Sequence, residues 1–171
     1  MAKLKGIKRL NSVIEQFFVE LGYPEIECEL GFDFAYYYGC DEIDYTIFSM
    51  PEADEGFKRY LKTTYPKMPK CSLFVFSLLH ELGHHLTMPS FSDEDFKNYK
   101  IKKDAIENEI ANTPKEKIAR QIKYCSLPDE AIATQKAVEI LLENYNYITD
   151  FEKTCFKEIK KFYLVNNIKN A

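Results

Sequence analysis

All three histidines of this 171-residue chain, His80, His84 and His85, fall within six positions. They close a segment that is apolar almost without interruption, Cys71-Ser-Leu-Phe-Val-Phe-Ser-Leu-Leu-His80-Glu-Leu-Gly-His84-His85-Leu86. A helix apolar on nearly every side has to be buried. Imidazoles and a carboxylate carried into that interior are costly unless something engages them. The fold must therefore wrap this segment and also supply partners for its polar residues. Met88-Pro89-Ser90 ends it, since proline neither donates to a helix nor fits within one. With 46% hydrophobic and 15% aromatic residues, the chain is long enough for one domain, residues 1–171, with a sizeable core.

The flanking segments read as helices around a small sheet. Ile7, Leu10, Ile14, Phe17 and Leu21 recur at helical spacing up to Gly22 and predict a helix over about residues 5–21. From about Glu25 to Phe48 the period changes to two. Phe32, Phe34, Tyr36 and Tyr38 alternate with Asp33, Ala35 and Tyr37, and Ile43, Tyr45 and Ile47 follow a turn at Gly39-Cys40-Asp41. Two or three antiparallel strands fit that pattern. Ser49 and Glu52 resemble a capping box for a short helix through Phe57, Tyr60 and Leu61. After the central segment, a helix from Ser92 packs through Phe96, Tyr99, Ile106 and Ile110, and its charged run from Asp93 to Lys103 reads as a solvated face. Thr113-Pro114-Lys115-Glu116 caps the next, Ser126-Leu-Pro128-Asp129 opens another to about Asn144, and Thr149 or Asp150 opens the last. The last nineteen residues, Lys153 to Ala171, carry five lysines and one acid, and their apolar side suits a docked terminal helix. The expected fold is α+β, with a small antiparallel sheet and about six helices around the central one.

Chemistry concentrates on the central helix, where His80-Glu81-Leu82-Gly83-His84 is an HExxH pattern. Residues four apart share a helix face, so both imidazoles can reach one cation. Zinc is its usual occupant. Glu81 stands about 100° round from His80, placed to act on a water molecule as general base without itself ligating. A catalytic zinc site takes three protein ligands and keeps one position open. With no further histidine, the third ligand is a carboxylate or a thiolate. Glu130 is the leading candidate: it opens a helix, and Ala133 and Ala137 follow on nearly the same face, where small residues permit close approach to Gly83. Asp129 in the same turn is weaker, Glu139 turns toward solvent, and Cys40 is the thiolate alternative. His85 is rotated away from the ligand face and reads as a packing or supporting residue. Tyr124 and Tyr145 are candidates for a hydroxyl that stabilises an oxyanion.

His80-Glu-Leu-Gly-His84-His-Leu, together with Leu127-Pro-Asp-Glu130-Ala-Ile-Ala133-Thr-Gln-Lys-Ala137, resembles the ImmA/IrrE family of zinc metallopeptidases, especially its short bacterial, prophage and phage members. The resemblance implies a compact gluzincin fold with zinc held by His80, His84 and Glu130, and water activated by Glu81. It also implies endopeptidase activity on a protein or peptide, for instance a DNA-binding repressor. Thr134 stands where the family often has Asn or Asp, and Lys136 where it often has an aromatic residue. A different reading of the same motif is a metal-binding regulatory protein that acts by binding a partner.

A net charge of −4, from 23 basic and 27 acidic residues, provides no basic field to hold nucleic acid. No stretch approaches the roughly 18 apolar residues of a membrane span, and the basic start has no uninterrupted apolar signal region. Five cysteines without CxxC spacing suit reduced, mostly buried thiols in the cytoplasm.

Overall fold

The computed structural model describes residues 5–168, so the last three residues of the lysine-rich terminal stretch lie outside the described residues. Helix α1 (Ile7–Glu20) is followed by three short strands, β1 (Glu27–Leu30), β2 (Ala35–Tyr37) and β3 (Glu42–Tyr45). Six further helices complete the order: α2 (Pro51–Thr64), α3 (Leu73–Thr87), α4 (Asp93–Glu107), α5 (Pro114–Cys125), α6 (Pro128–Glu143) and α7 (Tyr145–Val165), with one 3₁₀ turn at Met88–Ser90. The fold is α+β, and none of its helices is long and apolar enough to cross a membrane among the described residues.

Helix α3 is the axis of the molecule. Ser72 caps it by accepting from the Val75 N–H, the Glu152 carboxylate accepts from the Ser72 N–H, and every residue from Val75 to His84 is buried. Helix α6 lies along α3, and the contact is close because Gly83 faces the backbone of Ala133: a Cβ on Gly83 would overlap the Ala133 carbonyl oxygen. Ala133 and Ala137 are both fully buried. The predicted meeting of small residues therefore forms. Helix α1 buries Leu10, Ile14, Phe17 and Phe18, and Phe17 stacks on Phe151 of α7 with ring centroids 3.9 Å apart. Through Ile148, Phe151, Cys155, Ile159 and Phe162, α7 docks by its apolar side as the sequence predicts.

The sheet corrects the expectation of antiparallel strands. Its order is β1-β3-β2, with β2 antiparallel to β3 but β1 parallel to it. Alternation sets which face a side chain takes, and it carries no information about strand partner or direction. Here β3 returns from the Tyr38–Asp41 turn, where Gly39 and Asp41 both adopt positive φ, and slots between the two earlier strands. The chain from β1 to β2 crosses over β3 at Gly31, which a Cβ would press onto Asp44. The paired part of β2 is then only three residues long, and Phe32, which the alternation included in a strand, is 93% exposed in the crossover.

Three terminal assignments also change. Met50, not Ser49, caps α2, and its N–H is satisfied by Asp54 instead of Glu52, because Pro51 already occupies the first helical turn. Helix α4 ends at Glu107, leaving Ile110 in the following loop, exposed instead of packed. Helix α7 begins at Tyr145, since a single residue, Asn144, ends α6 and starts α7. The capping boxes at Ser92/Asp95 and Thr113/Glu116 are both present.

Candidate metal centre

His80 and His84, one turn apart on α3, present their Nε2 atoms to the same oxygen of Glu130 in the first turn of α6. The distances from Glu130 Oε2 are 3.1 Å to His80 and 3.4 Å to His84. One ligand atom from each of these three residues falls within 4.8 Å of the others, and all three side chains are buried. Zinc ligated by nitrogen and oxygen at about 2.0–2.1 Å in a tetrahedron spaces its ligand atoms about 3.3–3.4 Å apart. The His–Glu separations match that spacing. The three residues can therefore hold a metal ion, and the donor set, two imidazoles and a carboxylate, suits a borderline divalent metal.

Surrounding residues set the orientation of the ligands. Thr134, one turn beyond Glu130 and fully buried, is 3.1 Å from His80 Nδ1. With His80 ligating through Nε2, its Nδ1–H donates to the Thr134 hydroxyl, which fixes tautomer and ring plane together. The Asn or Asp expected at this position by resemblance is thus replaced by a residue that still reaches the ring. Phe57 packs edge-on against His80 from the other side at 5.4 Å. Glu130 Oε1 accepts from the Tyr99 hydroxyl at 2.7 Å, and Tyr124 lies 3.4 Å beyond, oxygen to oxygen.

Burial and charge pull the titrating groups apart. Burial works to raise Glu130, but hydrogen bonds and charge from His80 and His84 outweigh it and hold the carboxyl well below its ordinary range. Burial alone would lower His84, yet the Glu130 hydrogen bond, with the charges of Glu130, Glu81 and Asp129, raises it. Glu81 goes the other way: burial raises it, against the lowering effect of His80 and His84. A carboxyl raised in this manner holds a proton more readily than a free carboxylate does. Burial and Glu130 likewise raise Asp129.

The three groups form the floor of a cleft of about 590 Å³, with Glu81 in its lining. Ala35 and Tyr36 of the edge strand β2, with Phe34 just before it, make one wall, and Tyr99, Lys103 and Tyr124 from α4 and α5 make part of another.

Other predicted candidates fall elsewhere. Asp129 is buried but outside the ligand group, and its Oδ2, like His84 Nδ1, has no hydrogen-bond partner among the described residues. Its influence on His84 is through charge. Glu139 is half-exposed and paired with Lys136 at 3.1 Å. Cys40 is exposed at the β2–β3 turn and lies outside the ligand group, which removes the thiolate alternative. Tyr145 is exposed at the start of α7, which begins four or five residues earlier than predicted, and lines no part of the cleft. His85 bonds to the Tyr36 hydroxyl and Glu25, each at 3.2 Å, with Asp41 at 3.3 Å, so it ties α3 to the sheet as a supporting residue. All five cysteines are free, three of them buried.

Sequence reasoning assigned Tyr99 to packing and left Thr134 without a role. The signal for Tyr99 was available: Phe96, Tyr99, Lys103 and Ile106 share one face of an otherwise charged helix. No family model, curated protein or solved structure matches the chain.

Proposed function

We propose that this protein is a minimal gluzincin, a zinc-dependent endopeptidase akin to the ImmA/IrrE metallopeptidases, acting in the cytoplasm on a protein such as a bacterial or phage repressor. The observation that carries the reading is the convergence of His80, His84 and Glu130 on one point beside a buried Glu81 at the floor of an open cleft. Bound zinc supplies a Lewis acid that polarises a peptide carbonyl and makes water a nucleophile at neutral pH. Glu81 takes a proton from the attacking water as the carbon–oxygen bond forms, then delivers it to the amine nitrogen as the carbon–nitrogen bond breaks. The free edge of β2 offers backbone groups along which an extended peptide can lie across the cleft. Five free thiols suit a reducing compartment.

Metal content per chain, measured by mass spectrometry beside cleavage of candidate repressors, tests the proposal. One zinc per wild-type chain is expected, lost in His84→Ala and Glu130→Ala and retained in Glu81→Gln and Cys40→Ala. Glu81→Gln should abolish cleavage. If that variant keeps both its metal and the full biological effect of the wild type, the protein works by binding a partner instead of by hydrolysis.

A further inference from the structure

The two oxygens of Glu130 have different surroundings. Oε2 faces both histidine nitrogens, whereas Oε1 is held by the Tyr99 hydroxyl at 2.7 Å. Tyrosine has a single proton to give, and here it goes to the carboxylate. The Tyr99 oxygen then accepts from Tyr124, 3.4 Å away, so the hydroxyls run in one direction, Tyr124 to Tyr99 to Glu130. The Lys103 ammonium lies over both rings, 5.8 Å from the Tyr99 centroid and 5.6 Å from that of Tyr124.

Tyr99 comes from α4, which has no buried residue and is neither of the helices that carry the ligands. Packing of α4 would be served as well by phenylalanine. The Tyr99 hydroxyl oxygen accepts from Tyr124, and its single proton occupies Oε1. A carboxylate left free can ligate a metal through one oxygen or both. Moving Oε1 onto the metal here would break a short bond to a charged acceptor, of a kind about twice as strong as a neutral one, and would leave the phenol without its acceptor.

Resting on the metal-site reading above, we propose that Tyr99 is a positioning residue: its hydroxyl holds Oε1 of Glu130 so that the carboxylate ligates through Oε2 alone and one coordination position stays open for water and the substrate carbonyl. The assignment explains why a polar aromatic residue on a surface helix reaches a buried ligand, and it links the docking of α4 to the metal. Tyr124 supports Tyr99 from behind.

Cobalt substituted for zinc reports coordination number through its visible absorption. The full chain, Tyr99→Phe and Tyr124→Phe are loaded with Co²⁺, and affinity is measured by competition with a chelator. Wild type is expected to give the intense bands of four-coordinate cobalt. In Tyr99→Phe these weaken as the second oxygen joins, and affinity changes by about 10- to 100-fold, as is usual when a partner of a metal ligand is removed. Tyr124→Phe, which keeps the bond to Glu130, should change both far less. Identical spectrum and affinity in Tyr99→Phe and wild type overturn the assignment while leaving the metal site standing. A wild type that binds neither Co²⁺ nor Zn²⁺ overturns the metal site and the assignment together. Should Tyr99→Phe fail to fold, infrared difference spectra of the wild type labelled with ¹³C-glutamate decide: a one-oxygen carboxylate signature on metal addition is expected, and a two-oxygen signature refutes the role of Tyr99.

Discussion

A Cβ placed on Gly83 would overlap the Ala133 carbonyl oxygen and come within 3.0 Å of its Cα, atoms that cannot step aside unless α6 moves. Gly83→Ala gains about 1 kcal/mol of helix propensity, against about 1–3 kcal/mol for overpacking, and moving α6 also withdraws Glu130 from the histidines. The expected outcome is a thermal midpoint lower by several degrees together with weaker zinc binding. A variant as stable as wild type with full zinc affinity would mean that the contact is not a constraint. Thr134 offers a finer test, because valine keeps its shape and removes its hydroxyl. Thr134→Val should lower metal affinity about 10- to 100-fold by freeing the His80 ring, while Thr134→Ser, which retains an oxygen 3.1 Å from Nδ1 in the present geometry, should stay near wild type. Titration with a competing chelator separates the two outcomes.

At the scale of elements, α3 and α4 are opposites. Helix α3 is apolar on almost every side and its burial was legible directly, whereas α4 has no fully buried residue and owes its start to a capping box in which Ser92 accepts from the Asp95 N–H and Asp95 accepts from Ser92. Ser92→Ala should cost about 1 kcal/mol of local stability. With so little of α4 in the core, the loss should appear as amide exchange about fivefold faster within α4, at nearly unchanged global stability. Equal exchange in variant and wild type would show that packing, not the cap, holds the helix. Hydrogen bonds from Ser92 lower the Asp95 carboxyl, so the cap is present above the ordinary carboxylate range and fades as pH falls through the lowered value. The sheet was less readable than any helix. Its strands are three or four residues long, and the parallel pairing of β1 with β3 depends on a crossover at Gly31 that alternation cannot encode.

For the whole molecule, metal and pH are coupled through the same buried groups. In the metal-free protein Glu130 is held below its ordinary 4.5, so its contribution is complete above that value and is lost as pH falls through the lowered one. His84 is raised above 6.5, so its contribution is complete below 6.5 and is lost as pH rises through the raised value. Glu81 and Asp129, both raised, also lose theirs with rising pH. Glu130 and His84 together favour the range between about 4.5 and 6.5, and Glu81 and Asp129 already draw stability down as pH rises through it, so metal-free protein should be most stable toward the acid end of that range and weaken toward pH 8. Zinc requires neutral imidazoles and competes with protons for them, so the loaded protein should gain stability over the same rise. At free zinc 1,000 times its dissociation constant the added stability is about 4 kcal/mol. Thermal melts from pH 5 to 8, with and without a chelator, should diverge; parallel curves would place the metal outside the core.

What the sequence determined by itself was local. Spacing put His80 and His84 on one face with Glu81 beside them, caps marked the starts of α4 and α5, and the small residues Gly83, Ala133 and Ala137 indicated where two helices meet. The first two depend on residues within a turn or two of one another, and the third on small residues repeated along one face of each helix. Tertiary structure alone decided the strand order, the outward placement of Cys40 and Tyr145, and the bond of Tyr99 to Glu130. Tyr99 is 31 residues from Glu130 and Thr134 is 54 from His80. Such meetings are set by how buried helices pack, because only packing brings residues so distant in sequence within hydrogen-bond reach, and no local period records it.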